Sequence, residues 1–276
     1  MQLHFTKMHG AGNDFVVIDL ISQDYKLCPQ DVRRLADRHL GIGCDQVLTV
    51  EAPHNPQVDF RYRIYNADGN EVQQCGNGAR CFALFVRDKK LTRKRIITVE
   101  TAAGVIELRA HQNQQVEVDM GAPALEPNEV PFLAAVRQQS YALVIGGTEL
   151  EIGAVSMGNP HAVIRVASID HCEIDRLGPI IESHSEFPQQ VNVSFMQIVA
   201  TNEINLRVYE RGVGETLACG TGACAAVVYG ILRGWLSDSV TVALSGGKLS
   251  VSWAGEGQPV VMTGPAAVVF DGTIRI

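Results

Sequence analysis

Apolar and polar positions alternate with a period of two at 58–64 and 205–209, and β-branched runs occupy 95–100 and 192–199, so all four segments are expected to be strands. The period lengthens to that of a helix behind two cysteines. After Cys75 the apolar residues Ala79, Phe82, Ala83 and Val86 recur at i, i+3, i+4 and i+7, and Arg87, Lys89 and Lys90 follow where cations suit a helix C-terminus. After Cys219 the same spacing falls on Ala223, Ala226, Val227 and Gly230, with Arg233 at the end. This second helix is the more apolar and is expected to be central. Two further helices are predicted at 29–39 and 173–183.

Laid against itself, the chain shows four matches in the same order. Gly12-Asn13-Asp14-Phe15-Val16-Val17-Ile18 lines up with Gly158-Asn159-Pro160-His161-Ala162-Val163-Ile164, and Gln46-Val47 with Asn192-Val193, both at an offset of 146. Arg63-Ile64-Tyr65-Asn66 lines up with Arg207-Val208-Tyr209-Glu210, and Cys75-Gly76-Asn77-Gly78-Ala79 with Cys219-Gly220-Thr221-Gly222-Ala223, both at an offset of 144. Glu71 and Glu215 also coincide, four residues before each cysteine. Gly and Val are common enough to make one match weak, but the shared order and near-constant offset argue for a duplicated unit.

The fold class that follows is α+β, with two pseudo-symmetric lobes, each an antiparallel β-sheet wrapped around a central helix. Met120-Gly121-Ala122-Pro123, Pro127 and Pro131 break the strand pattern, which sets the lobes at 1–120 and 121–262. Met262-Thr263-Gly264-Pro265 repeats the break. The tail, 263–276, has no counterpart in the second half and is expected to return and complete the first lobe.

Composition narrows the partners. Of 276 residues, 46% are hydrophobic and 19% charged, as in a folded chain with a sizeable core. With 23 basic and 30 acidic residues the net charge is −7, so a nucleic-acid groove or an anionic membrane patch has little electrostatic support. A small molecule is the expected partner. The uncharged stretch 217–232 is 16 residues long, short of the ~20 apolar residues of a membrane span. Asp14 and Asp19 interrupt the apolar run near the start, so no secretory segment is expected and the location should be cytoplasmic. Seven cysteines at irregular spacing form no disulfide framework, which leaves some of them free to be working thiols.

Gly76, Gly78, Gly220 and Gly222 each fall in the first turn of a helix, where glycine costs ~1 kcal/mol relative to alanine. One offset is close approach of a ligand to a helix N-terminus, a ready anion site. The same field lowers the pKa of a thiol placed there, so Cys75 and Cys219 are expected to be thiolates. Two thiols on opposite sides of a bound carboxylate meet the requirement for inverting the neighbouring carbon, since one removes a proton and the other delivers one from behind. No dinucleotide loop or pyridoxal-phosphate lysine site is evident. A zinc site would want Cys-x2-Cys or clustered histidines, and the sequence has neither. Cys81 and Cys224, a helical turn further on, read as core packing.

These motifs carry a resemblance that spans nearly the whole chain, from Lys7-Met8-His9-Gly10 to Phe270-Asp271-Gly272. Gly12-Asn13-Asp14-Phe15, Asp45-Gln46, Tyr65-Asn66-Ala67-Asp68-Gly69, Cys75 through Cys81, Met157-Gly158-Asn159-Pro160-His161, and Tyr209-Glu210-Arg211-Gly212 running to Cys219 through Ala223 closely resemble the diaminopimelate epimerase family. The resemblance implies a cofactor-independent, metal-free epimerase that interconverts LL- and meso-2,6-diaminopimelate, for lysine and cell-wall peptide. It implies Cys75 and Cys219 as acid and base, with Asn13, Gln46, Asn66, Asn77, Asn159, Asn192, Glu210 and Arg211 at the substrate. Gly76, Gly220 and Thr221 would give backbone amides, and His161 and Glu210 would tune the thiols. A homodimer, and an active site in the cleft between the lobes, are implied as well. Cys44 departs from the family pattern and complicates the count of reactive thiols. Two alternatives stand beside this reading. One is a proline or hydroxyproline racemase, or a phenazine-type isomerase, of the same fold; these lack the Gly-Asn-Asp-Phe and Glu-Arg-Gly elements. The other is a non-catalytic anion-binding module in which both cysteines are incidental.

Overall fold

Strands joined by tight turns pair antiparallel, whereas a connection long enough to hold a helix lets the next strand run parallel. Both kinds of connection recur in each half of this chain. The computed structural model describes residues 2–72, 76–111 and 113–276. The chain separates into two compact units, Met1–Asp119 with Thr263–Ile276, and Met120–Met262.

In the first unit β1 (Gln2–Gly10) and β2 (Asn13–Asp19) form a hairpin. Its two turn residues, Ala11 and Gly12, sit at φ of 55° and 90°, as a primed turn requires. The chain leaves through α1 (Pro29–Ala36) and returns as β3 (Gln46–Glu51), parallel to β2, with β4 (Phe60–Asn66) antiparallel to it. Short β5 (Glu71–Val72) folds back on β4. After α2 (Gly76–Asp88), β6 (Ile96–Thr101) lies parallel to β4, and β7 (Gly104–Ala110) and β8 (Gln115–Asp119) continue as a meander.

The second unit repeats the plan. β9 (Tyr141–Ile145) and β10 (Thr148–Ser156) form a hairpin, and β10 pairs with β11 (Pro160–Arg165). Through α3 (Ile174–Glu182) the chain reaches β12 (Asn192–Ala200), parallel to β11, then β13 (Glu203–Glu210) and short β14 (Gly214–Thr216), both antiparallel. α4 (Gly220–Leu232) leads to β15 (Ser239–Leu244), parallel to β13, and β16 (Gly247–Trp253). β17 (Val260–Pro265) carries the chain out of the second unit, and β18 (Ala267–Arg275), in the first unit, pairs antiparallel with β1.

The fold is α+β, but the strands are mixed and not purely antiparallel, because each helical crossover reverses the pairing sense. The duplication extends to side chains. Arg63 grips Glu71 through Nε and Nη2 at 2.8 and 2.6 Å, and Arg207 grips Glu215 through the same atoms at 2.6 and 2.7 Å.

Each unit has two apolar layers. One face of β2 and β3 (Val16, Ile18, Val47) packs on Val32, Leu35 and Ala36 of α1, and in the second unit Ala162, Ile164, Val193 and Phe195 pack with Ile174 and Ile181 of α3. The other layer belongs to α2 and α4. Phe82 of α2 has no exposed surface and meets the rings of Phe60 and Tyr62 edge-on at 5.9 and 5.4 Å, a burial worth ~2–3 kcal/mol. α4 is buried from Gly222 through Gly230, the central helix the hydrophobic pattern predicts. Cys81 and Cys224 are fully buried in these helices. α1 stops at Ala36, three residues before the predicted end, because the Asp37 carboxylate accepts the amides of His39 and Leu40 and turns the chain away.

Candidate active site

Polar side chains collect where the strands end. Asn13 opens β2, Gln46 opens β3 and Asn66 closes β4, so the parallel and antiparallel pairings bring all three to one edge of the first unit. Gly76 and Asn77 begin α2. Gln46 and Asn66 stand opposite each other in the ladder, and Gln46 Nε2 donates to Asn66 Oδ1 at 2.8 Å. Asn77 Nδ2 donates to Asn13 Oδ1 at 3.3 Å, and Asn13 Nδ2 to Asp45 Oδ2 at 3.0 Å. Cys75 lies outside the described residues.

Asp45 belongs to a charged group that sequence reasoning missed. Arg38 bridges Asp45 and Asp14 at 2.8 Å to each, and Lys7 donates to Asp14 at 2.6 Å and to the Gly43 carbonyl. Burial pushes the Asp14 carboxyl up, but hydrogen bonds from Arg38 and Lys7 outweigh it and hold the group well below the usual carboxylate range. Only long-range pairing exposes this group, since Lys7, Asp14, Arg38 and Asp45 share no local motif. Cys44 next to it is buried, and burial pushes its thiol up to about 12, so it is inert at neutral pH.

The second unit places the duplicated positions at the corresponding edge of its own strands: Asn159 just before β11, Asn192 opening β12, Glu210 closing β13, and Gly220 and Thr221 opening α4. Asn192 is fixed at both ends of its amide, donating to Pro160 O at 2.9 Å and accepting from the Arg211 amide at 3.0 Å. The Arg211 guanidinium donates to Gln189 O at 2.8 Å. Cys219 is the N-cap of α4. Its Sγ accepts from the Gly222 amide at 3.4 Å and lies 3.5 Å from Thr221 Oγ1, while the thiol is hydrogen-bonded to the Glu210 carboxylate. Thr216 Oγ1, unnoticed in the sequence, donates to Glu210 Oε1 and holds that carboxylate in place.

The expected thiolate is not the resting state at Cys219. Burial, first, and the negative Glu210, second, raise its pKa well above the usual thiol value, against the smaller opposing pull of Thr221 and the Gly222 amide. The field of one helix end is outweighed by loss of water and a carboxylate neighbour. His161 lies near the start of β11. It is fully buried, Nε2 lies 3.2 Å from Asn159 Oδ1, and burial followed by the charge of Arg211 pushes its pKa down to about 3. A neutral imidazole acts on its surroundings as a dipole, not as a cation.

Two of the four first-turn glycines, Gly78 and Gly222, have a different explanation from ligand approach. A Cβ on Gly78 would stand 2.6 Å from Tyr62 Oη and 3.0 Å from Ile64 Cδ1, and one on Gly222 would stand 3.0 Å from Val208 Cγ2 and 3.3 Å from Cys219 Sγ. Close packing of helix on strand requires both.

Residues 5–126 and 153–269 match the family model described as Diaminopimelate epimerase. The chain belongs to the diaminopimelate epimerase family. It is 60% identical over 278 aligned residues to the diaminopimelate epimerase of Thioalkalivibrio sulfidiphilus (strain HL-EbGR7) and 57% identical over 276 to that of Stutzerimonas stutzeri (strain A1501), with all of each chain covered. Among solved structures, a PhzF-family phenazine biosynthesis protein of Bacillus anthracis gives a TM-score of 0.73 at 16% identity, covering 100% of both chains. A hydroxyproline epimerase of Agrobacterium vitis, solved with trans-4-OH-L-proline bound, gives 0.73 at 14% identity, covering 99% of this chain and 92% of that one. At these identities the likeness is one of fold. The family is set by the relatives at 57–60%.

Proposed function

We propose that the chain interconverts LL- and meso-2,6-diaminopimelate without a cofactor, using Cys75 and Cys219 as its acid and base. The observation that carries the reading is the setting of Cys219: a buried thiol at the head of α4, with a backbone amide and a threonine hydroxyl on the sulfur and a carboxylate accepting a hydrogen bond from the thiol. Resting as a thiol, Cys219 enters the cycle as the proton donor, and Cys75 as the base that removes the α-proton. After inversion their protonation states are exchanged. The amides of Gly76, Gly220 and Thr221 are available to the substrate carboxylate, whose neighbouring carbon carries the developing negative charge. Asn13, Gln46, Asn66, Asn77, Asn159, Asn192, Glu210 and Arg211 offer amide, carboxylate and guanidinium partners to a ligand with two carboxylates and two ammonium groups.

The same reading places the protein in the cytoplasm, on the route to lysine and peptidoglycan precursors, as a homodimer. No described helix is long and apolar enough to cross a membrane. Val268, Val269 and Phe270 of β18 are exposed, which supports self-association through that strand. The test of function is incubation with LL-diaminopimelate in heavy water. Formation of the meso isomer with one deuterium at the inverted α-carbon is expected. Binding without turnover or exchange would favour the anion-binding module.

A further inference from the structure

A guanidinium with no exposed surface lies behind the asparagines of the first unit. Arg80, one turn into α2, donates from Nη2 to Asn77 Oδ1 at 2.9 Å and from Nε to Pro265 O at 3.1 Å, with Nη1 at a longer 3.5 Å from Gly76 O. Burying a guanidinium is unfavourable unless its N–H groups are satisfied. At the duplicated position, 144 residues on, the second unit has Cys224, equally buried, so packing alone does not call for an arginine.

The chemistry of the contact is directional. Guanidinium has donors and no acceptor. Asn77 therefore turns Oδ1 toward Arg80, which sends its Nδ2 to Asn13 Oδ1, and Asn13 in turn sends its own Nδ2 to Asp45. The file is closed from the side by Gly10, where a Cβ would stand 3.1 Å from Asn77 O and 3.2 Å from Arg80 Nη2. A carboxylate, which only accepts, ends the chain at Asp45 as a guanidinium begins it at Arg80. Neither amide can flip without breaking a bond on both of its sides.

We propose that Arg80 is a positioning residue: it fixes which way the amides of Asn77 and Asn13 point, and so the pattern of donors and acceptors these two present to the substrate. This rests on the assignment of Asn13 and Asn77 as substrate contacts.

A double-mutant cycle on epimerisation tests it, with the native chain, Asn77→Ala, Arg80→Met and the double variant. Arg80→Met alone is expected to lower kcat/KM by ~10–100-fold, as misplaced binding groups do. In the Asn77→Ala background the same change should cost less than ~3-fold, because the path of action has already been removed. Equal factors in both backgrounds would overturn the proposal. Arg80→Lys keeps a donor for Asn77 and should restore at least half of the lost activity on a logarithmic scale; Arg80→Leu, which also has no donor, replaces Arg80→Met in the cycle if that variant does not fold. Side-chain amide NMR supplies a readout that needs no turnover. The Nδ2 signals of both Asn77 and Asn13 should move in Arg80→Met, or in Arg80→Leu if that is the variant that folds. Signals that stay in place overturn the inference. Signals that move in a protein with no epimerase activity overturn the substrate assignment instead and leave the amide chain standing.

Discussion

Replacing Gly78 by alanine opposes two effects of known size. Alanine in a helix is favoured over glycine by ~1 kcal/mol. Against this, the new Cβ would stand 2.6 Å from Tyr62 Oη, 3.0 Å from Ile64 Cδ1 and 3.2 Å from Phe15 Cε1, where ordinary contacts are ~3.5–4.0 Å. Tyr62 cannot swing aside, because it is buried and its ring meets Phe82 edge-on at 5.4 Å. The helix must lift from the strand by roughly half an ångström, and overpacking of this kind costs ~1–3 kcal/mol, more where rigid rings are involved. A net loss of ~1–2 kcal/mol follows, a fall of about 2–4 °C in the thermal midpoint for a chain of this size, measured by calorimetry. Asn77, the preceding residue, moves with the helix, so kcat/KM should fall ~10-fold or more. A rise in the midpoint would show that helix propensity wins, and that close packing is not why glycine stands there. Gly222→Ala is milder, since its nearest neighbour is the Val208 methyl at 3.0 Å, and should cost under ~1 kcal/mol.

Glu210→Gln removes a negative charge next to Cys219, so in a Cys75→Ala background the pH at which Cys219 becomes alkylated by iodoacetamide should move down; no movement would contradict the charge argument. Asp14→Asn strips Lys7 and Arg38 of a shared partner and should cost ~2 kcal/mol by urea unfolding. Because the Asp14 pKa is depressed in the folded chain, its contribution is complete above the unfolded value near ~3.9 and is lost as pH falls through the folded one. Stability of the variant should therefore decline less steeply below pH ~4, and an unchanged acid limb would reject the assignment. Glu71→Gln and Glu215→Gln each break one of the two equivalent arginine grips, and each should cost ~1 kcal/mol, within ~0.5 of each other. Unequal losses would mean that the duplicated pairs have diverged in strength.

Much of this architecture is readable without coordinates because duplication writes the same constraints twice. The spacing of Arg63 and Glu71 against Arg207 and Glu215 is legible as a repeat before either pair is known to touch. The apolar rhythm after Cys219 marks a buried helix because nothing charged interrupts it. What escapes a linear reading is whatever depends on partners from distant strands. Parallel pairing of β2 with β3 and of β11 with β12 is a property of the crossover, not of the strand pattern. Gly78 and Gly222 look like ligand cradles until Tyr62 and Val208 are seen against them. Cys219 reads as a thiolate from its helix alone, and only burial with Glu210 alongside reverses that. The consequence of divergence between the halves is equally hidden: His161 and Ser194 stand at the places of Phe15 and Leu48, all four fully buried, and His161 Nδ1 and Ser194 Oγ have no hydrogen-bond partner among the described residues.

The central claim is that two thiols serve opposite faces of one carbon. Its most direct test is a matched pair of variants, Cys75→Ala and Cys219→Ala, each incubated in heavy water with LL- and with meso-diaminopimelate while epimerisation and deuterium uptake are followed separately. Net epimerisation should collapse by several orders of magnitude in both, as on loss of an essential acid or base. Each variant should still exchange hydrogen slowly with solvent at the centre its remaining thiol faces, so that the two label different configurations. Near-normal epimerisation in both variants, or exchange of the same configuration by both, would contradict the two-thiol account.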